Sequence, residues 1–355
     1  IQKMVDDTWD GAVVTTVGIP TMNNSKTIKC SIKQLQNQTR LPDRVIIVDN
    51  STDATPDIIS EMATDTDFAI DLYDQPECGR GVGAARAKIY RKFHEDLLLC
   101  LDTNHSVDET WVETHVEFHQ AHPSYGVLSN SSIDGFDDSV SDPLQSEYFG
   151  QSNCSIKKSA LESVDGWDCW FHRGEDWDMR IRLWMAGVDS WAKNSINAER
   201  FERNAATEIN SWFWTKTLYD PSSITYLRKY GRWYLRFHTL HVAGDLASLA
   251  AIALLAVTPV GLLMTPLLGL MMFGTALVPA AGFIYYKGPR KQNKIIPLPS
   301  KLGAFIVFYP LGLSALNSLQ NICSCEEWNY PGNDKQGSNN RREDYDPVKQ
   351  AQLQL

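Results

Sequence analysis

The chain has 355 residues, enough for one large domain or two smaller ones. A formal net charge of -10 excludes a broad nucleic-acid surface, which needs clustered cations. Hydrophobic residues make up 43% but are unevenly spread, with an overwhelmingly apolar run over 240–286 and another over 302–319.

In chain order, GAVVTTVGIP predicts a buried strand over 12–17 that ends in a Pro turn. Residues 26–38 follow a helical pattern, with Ile28, Ile32 and Leu35 on one face. RVIIVDNSTD predicts a second strand running into a turn rich in Asp, Asn and Ser. A short helix over 55–62 and a third strand over 68–73 come next. GRGVGAARAKIYRKF is a Gly-rich turn opening a helix, and DLLLCLDTN is a further buried strand. Strands alternating with helices imply an α/β fold with a mainly parallel sheet and right-handed crossovers. In such sheets ligands bind at the carboxyl ends of the strands. Asp49 and Asp102 stand at two such ends, after VIIV and LLLCL. A lone Asp there is often a turn former. Two of them on parallel strands, facing one crevice, favour a ligand.

GEDWDMRIRLWMAG, residues 174–187, opens with the adjacent carboxylates Glu175 and Asp176. Leu183 and Ala186 continue a helical stripe, and Gly187 supplies a stop. Acidic residues favour the first turn of any helix. The helix dipole also keeps such a carboxylate ionised, which suits a base that accepts a proton at neutral pH.

VVTTVGIPTMNNSKTI, VIIVDNSTDAT, GRGVGAARAKI, LLLCLDTN and GQSNCSIKKSALESVDGWDCWFHRGEDWDMRIRLWMAG together resemble, in order and spacing, a family-2 glycosyltransferase with a GT-A fold. The resemblance covers roughly the first two hundred residues. It implies that Pro20, Thr21 and Asp49 hold the nucleotide base and ribose, and that Arg86 borders the nucleotide site. It implies that the DxD element at Asp102 holds a divalent metal, Mg²⁺ or Mn²⁺, and the sugar diphosphate. It makes Asp176 the catalytic base, with Glu175 beside it. The chemistry is coherent. A hard cation stabilises charge on a departing nucleoside diphosphate, and a positioned carboxylate deprotonates an acceptor hydroxyl. One base and one leaving group on opposite sides give an inverting displacement, with no second-carboxylate nucleophile.

The chain departs from the family pattern at several points. The DxD position reads Asp102-Thr103-Asn104, so an amide oxygen replaces the second carboxylate with weaker attraction for a metal. His105 follows directly. Where the family often carries a late metal-binding His, this chain has Ala198-Glu199-Arg200-Phe201-Glu202, with Glu199 or Glu202 as the substitutes. Met22 stands where an aromatic often follows Pro-Thr. GRGVGAAR also mimics a dinucleotide fingerprint through Gly79, Gly81 and Ala84, an oxidoreductase reading that leaves VDNSTD and the ED helix unexplained.

YLRKYGRWYLRF, residues 226–237, interleaves cations with aromatics, as does a helix lying on a membrane surface. Its KYGRW also resembles the QxxRW element of processive synthases, in which Arg232 and Trp233 line the acceptor side. The run after it is too long for one span of about 20 residues. Spans are expected over 240–260 and 262–286, with a third over 302–319. Basic flanks at 228–236 and 287–294 place both on the cytoplasmic side. Seven scattered cysteines, an odd number, read as reduced thiols in the same setting. The expected organisation is a GT-A domain over 1–225, an interfacial segment over 226–239, transmembrane helices over 240–322 and a polar, disordered tail over 323–355. The partners expected are a nucleotide-diphosphate sugar, a lipid-linked or saccharide acceptor and the bilayer, with no nucleic acid. The alternative is a catalytically silent nucleotide-sugar-binding protein of the same fold.

Overall fold

The computed structural model describes residues 9, 11–75, 81–131, 135–140, 150–169, 171, 174–194, 198–200 and 223–230. These fall into two compact units, one holding the described residues up to 200 and the other residues 223–230. In the first, the chain runs β1 (Thr15–Thr21), α1 (Ile28–Gln36), β2 (Arg44–Asp49), α2 (Thr55–Met62) with a 3-10 turn (Ala63–Asp65), and β3 (Ala69–Asp74). It continues through α3 (Gly81–Lys92), β4 (Leu97–Leu101), β5 (His105–Val107), α4 (Trp111–Ala121), β6 (Tyr125–Asn130) and β7 (Asp137–Ser139). Then come β8 (Gly150–Lys157), α5 (Lys158–Ser163), α6 (Glu175–Met185), β9 (Asp189–Lys193) and β10 (Ala198–Arg200). The described part of the second unit is one helix, α7 (Ser223–Tyr230), with Tyr226, Lys229 and Tyr230 buried.

The main sheet has the order β3-β2-β1-β4-β8-β6-β9-β7. Strands β3, β2, β1 and β4 are mutually parallel, so Asp74, Asp49, Thr21 and Leu101 end at one edge. The sheet is mainly parallel, as expected, with two antiparallel members. β8 is antiparallel to both β4 and β6, and β7 is antiparallel to β9, so the sheet is mixed. No helix among the described residues separates β6 from β8, and a strand that returns without a crossover enters antiparallel. This direction brings the start of β8 to the same edge: Leu101 pairs with Asn153, and Asp102 donates its backbone N–H to the Ser152 carbonyl.

Both faces of the sheet are covered, which is why its strands read as continuous apolar runs. Leu97, Leu99 and Leu101 pack with Ile32, Leu35, Trp111 and Val116 of α1 and α4. Leu98 and Cys100 pack on the opposite face with Ala85, Ile89, Leu161 and Met179 of α3, α5 and α6. Helix α2 spans the residues expected, and β3 and β4 lie within a residue or two of their patterns. Strand β1 starts later than predicted and runs through Pro20, which pairs with Val48 at the end of β2. Proline is tolerated there because the ladder is about to end. Helix α1 is shorter than its pattern at both ends. Helix α6 ends as predicted, with Gly187 at φ 73, a left-handed conformation that a side chain would strain.

The interface of α4 with β8 is polar and fully buried. Trp111 Nε1 donates to Asn153 Oδ1 at 2.7 Å. One turn on, His115 Nδ1 lies 2.8 Å from Ser155 Oγ, and His119 Nε2 lies 2.9 Å from the same oxygen. His119 Nδ1 faces the Tyr125 carbonyl at 3.2 Å, and a carbonyl only accepts. For neutral imidazoles the proton order follows. His119 Nδ1 donates to Tyr125, Ser155 Oγ–H donates to His119 Nε2, and His115 Nδ1–H donates to Ser155 Oγ. Burial is the first cause that lowers both imidazole pKa values to about 3, which matches this neutral assignment.

Among the described residues no helix is long and apolar enough to cross a membrane. The expected spans within 240–322, residues 231–239 with Arg232 and Trp233, and the tail from 323 lie outside the described residues.

The serine is the joint of the α4–β8 ladder. Ser155→Ala leaves one imidazole donor and one acceptor buried without a partner, at an expected cost of about 1–3 kcal/mol. Urea denaturation at pH 7 measures it, and an unchanged midpoint would refute the hydrogen-bond order given above.

Candidate active site

The carboxyl edge of β1 and β2 is built by two loops laced together. Asn24 Nδ2 donates to Thr21 Oγ1 at 3.0 Å, and the Asn24 backbone N–H donates to Thr55 Oγ1 at 2.9 Å. The Asn23 N–H donates to Ser51 Oγ at 2.7 Å, and the Thr52 N–H donates to Asn23 Oδ1 at 2.8 Å. Asp49 accepts from Ser51 through both carboxylate oxygens, from the hydroxyl at 2.6 Å and the N–H at 3.1 Å. It therefore shapes its turn, and each oxygen keeps one more lone pair for a ligand. Met22 projects from this edge and is the most exposed large apolar side chain described, at 59%.

Asp102 follows β4 at the same edge, and its side chain is 30% exposed. Its Oδ1 accepts from Arg86 at 3.0 Å, while Oδ2 accepts no hydrogen bond among the described residues. Asn104 Oδ1 is buried and likewise has no hydrogen-bond partner among them. An orphaned amide oxygen two residues from a half-open carboxylate fits a hard cation that takes its other ligands from phosphate and water. Among the described residues no three His, Cys, Asp or Glu side chains cluster as a cage, so the fit is to a shared cation. Strand β10 pairs antiparallel with β5, setting residue 199 opposite Ser106 and residue 200 opposite His105. The 198–202 segment thus runs beside β5, next in chain to Asn104, as far as residue 200, and Glu202 lies outside the described residues.

Helix α3 carries Arg86 beneath this edge, and its first turn presses on the chain leading to α6. A Cβ on Gly83 would stand 2.1 Å from the Phe171 carbonyl oxygen, so only glycine fits. The Gly-rich turn follows β3 at the edge of the sheet rather than a central strand. That position speaks against the oxidoreductase reading. Arg86 is 4% exposed. It donates to the Gln151 carbonyl at 2.8 Å and to Asp102, and its Nε lies 3.4 Å from Glu175 Oε1. Burial opposes its charge, but Asp102 and then Glu175 outweigh that and raise its pKa above the usual value.

Glu175 and Asp176 open α6 with Asp178, in the first turn where the dipole favours anions. The helix is tied down by Arg182, which pairs with Asp178 at 2.8 Å and donates to the Val164 and Gly166 carbonyls at 2.6 Å each. The two adjacent acids have different environments. Asp176 is partly exposed, and its Oδ1 accepts the Trp177 N–H at 2.8 Å. Glu175 is buried. Desolvation, and then the neighbouring Asp176 carboxylate, push its carboxyl up to about 8 against the pull of Arg86. Of the two, Asp176 is the one open to solvent.

The structure therefore gathers Pro20, Thr21, Asp49, Arg86, Asp102, Asn104, Glu175 and Asp176 in one unit. The sequence reading missed Gln151, whose Oε1 accepts the Trp167 indole N–H at 2.7 Å and whose carbonyl holds Arg86. Both residues lie in the motif GQSNCSIKKSALESVDGWD, but their partners are distant in sequence.

Residues 16–173 match the family model described as Glycosyl transferase family 2. The match supports a glycosyltransferase. A solved mannosyltransferase from Pyrobaculum calidifontis, in complex with GDP-Man and Mn²⁺, has a TM-score of 0.50 at 17% identity, over 90% of this chain and 91% of that one. At that identity the likeness shows the GT-A fold. S. aureus TarS matches with a TM-score of 0.46 at 16% identity over 58% of this chain, which spans 40% of that structure's length. Its 1–349 form has a TM-score of 0.49 at 15% identity. No curated protein sequence matches the chain.

The raised Glu175 pKa has a consequence for the stability of the glycosyltransferase domain. Between about 4.5 and 8 the folded protein binds a proton that the unfolded chain releases, so stability falls as pH rises through that window. Glu175→Gln removes the dependence. The variant should match the parent near pH 5 and exceed it in thermal midpoint near pH 8. Parallel melting curves at both pH values would count against the buried acid.

Proposed function

We propose that the protein is a membrane-anchored, inverting glycosyltransferase that moves a sugar from a nucleotide-diphosphate sugar to a lipid-linked or saccharide acceptor. The observation that carries this reading is the meeting of the Asp102–Asn104 loop with the first turn of α6 across Arg86. Pro20, Thr21 and Asp49 offer the laced edge of β1 and β2 to the nucleoside. Asp102 and Asn104 offer two oxygens to a divalent cation, Mg²⁺ or Mn²⁺, which when bound neutralises charge on the departing diphosphate. The mannosyltransferase of similar fold was solved with Mn²⁺ and GDP-Man, which supports a donor of that class.

Asp176 takes the proton of an acceptor hydroxyl as its oxygen bonds to the anomeric carbon. The bond from that carbon to the diphosphate breaks on the opposite face, inverting the centre. An acceptor that is already a phosphate needs no base. The apolar runs over 240–286 and 302–319, with cations at 287–294, support an integral membrane anchor with the catalytic unit on the cytoplasmic side, where an acceptor on a lipid is at hand. Arg232 and Trp233, beside that anchor, are assigned to the acceptor side. Asn104 favours a second reading, a silent nucleotide-sugar binder, and sugar transfer or donor hydrolysis with Mn²⁺ decides between them.

Asp102→Ala should abolish Mn²⁺-dependent nucleotide-sugar binding in calorimetry, and Asn104→Asp should preserve or tighten it by restoring a carboxylate. Undiminished binding in the alanine variant would sink the cation assignment. For the base, Asp176→Asn should lower turnover by about a hundredfold to ten-thousandfold with donor affinity nearly unchanged. Glu175→Gln should be milder. Loss of donor binding along with turnover would move Asp176 into the donor site, and near-normal turnover would mean a phosphate acceptor or another base.

A further inference from the structure

We propose that Arg86 is a positioning residue that couples the donor half of the site to the acceptor half, its guanidinium passing from Asp102 to Glu175 when a cation and diphosphate take Asp102. The inference rests on the reading of Asp102 as a cation ligand given above. Arg86 is too deep to touch a ligand itself. One end of its fork is fixed by the Gln151 carbonyl, and Gln151 is fixed in turn by the Trp167 indole N–H. The remaining N–H groups are divided. The terminal nitrogen donates to Asp102 Oδ1 at 3.0 Å. Nε is buried and makes no hydrogen bond, although Glu175 Oε1 is only 3.4 Å away. A buried donor left short of its acceptor carries a free-energy cost. A small shift toward Glu175 would satisfy it, and the pull of Asp102 opposes that shift.

The charges around this position come from three elements. Glu175 and Asp176 lie on α6, Arg86 on α3 and Asp102 just beyond β4. One buried cation thus serves two carboxylates belonging to opposite halves of the site. A divalent cation at Asp102 competes with Arg86 for the same carboxylate. Each cation bound there frees the guanidinium for Glu175, which draws α3 and the start of α6 together beside Asp176. By linkage, the carboxylate at 175 must then favour cation binding at 102 by the same factor. Removing that carboxylate leaves Arg86 with Asp102 as its stronger partner and weakens the cation.

The test is a double-mutant cycle on the full chain above pH 8, where Glu175 is ionised, titrating Mn²⁺ in the presence of UDP and, separately, GDP, with binding read by calorimetry rather than turnover. Glu175→Gln should weaken Mn²⁺ binding at least threefold, within the range expected of directly coupled residues. In an Arg86→Met background the same substitution should change it less than twofold. Arg86→Lys keeps the charge but cannot reach both carboxylates at once, so it should also erase the coupling, and it serves if the methionine variant does not fold. An equal effect of Glu175→Gln in all backgrounds would overturn the proposal while leaving the donor site intact. Absence of Mn²⁺-dependent nucleotide binding in the parent would overturn the donor-site reading and this coupling with it.

Discussion

A guanidinium with 4% of its surface exposed has almost no water to solvate it, so its charge must be met by protein. Around Arg86 the answers are Asp102, Glu175 and the Gln151 carbonyl, contributed by the end of β4, the start of α6 and the start of β8. Those segments are distant in sequence and meet at this one cation. Removing the cation would leave two acids facing each other in a poorly hydrated space. The site is therefore organised around a buried charge balance, and the loops that meet substrate are fastened to it. The same balance explains why two adjacent acids differ: Glu175 is buried against Arg86 and Asp176 is partly exposed.

The mixed sheet is part of this arrangement. Had β8 run parallel to β4, its first residues would lie at the far end of the sheet, and Gln151 could not reach Arg86. Antiparallel entry puts the beginning of β8 against the end of β4, with Asn153 opposite Leu101. The chain direction of one strand thus decides which residue orients the central cation.

Much of this was legible in sequence because it is local. Apolar runs such as LLLCL gave the strands, and the acids of GEDWD gave the start of α6. The left-handed end of α6 followed from Gly187, since that conformation is decided within one residue. The strand ends and the start of α6 singled out Asp49, Asp102 and Asp176, and the family resemblance gave them roles. What stayed hidden depends on partners far apart in the chain. Nothing near Gln151 reveals that Arg86 and Trp167 will be its neighbours, 65 and 16 residues away. The run WVETHVEFHQ has a helical period, but its histidines read as polar, and only the fold shows them buried against Ser155. The antiparallel entry of β8 was likewise illegible, because strand direction is set by how the chain returns.

The histidine ladder gives the domain a lower limit of acidity. His115 and His119 stay neutral in the fold to about pH 3, whereas the unfolded chain takes up protons on both below about 6.5. The stability they contribute is complete above that value and drains away as pH falls. Acid therefore attacks the seam between α4 and β8 from within, where no surface substitution can shield it. β8 begins at the residues that orient Arg86, so a loosened seam would disturb the catalytic edge before the whole domain came apart.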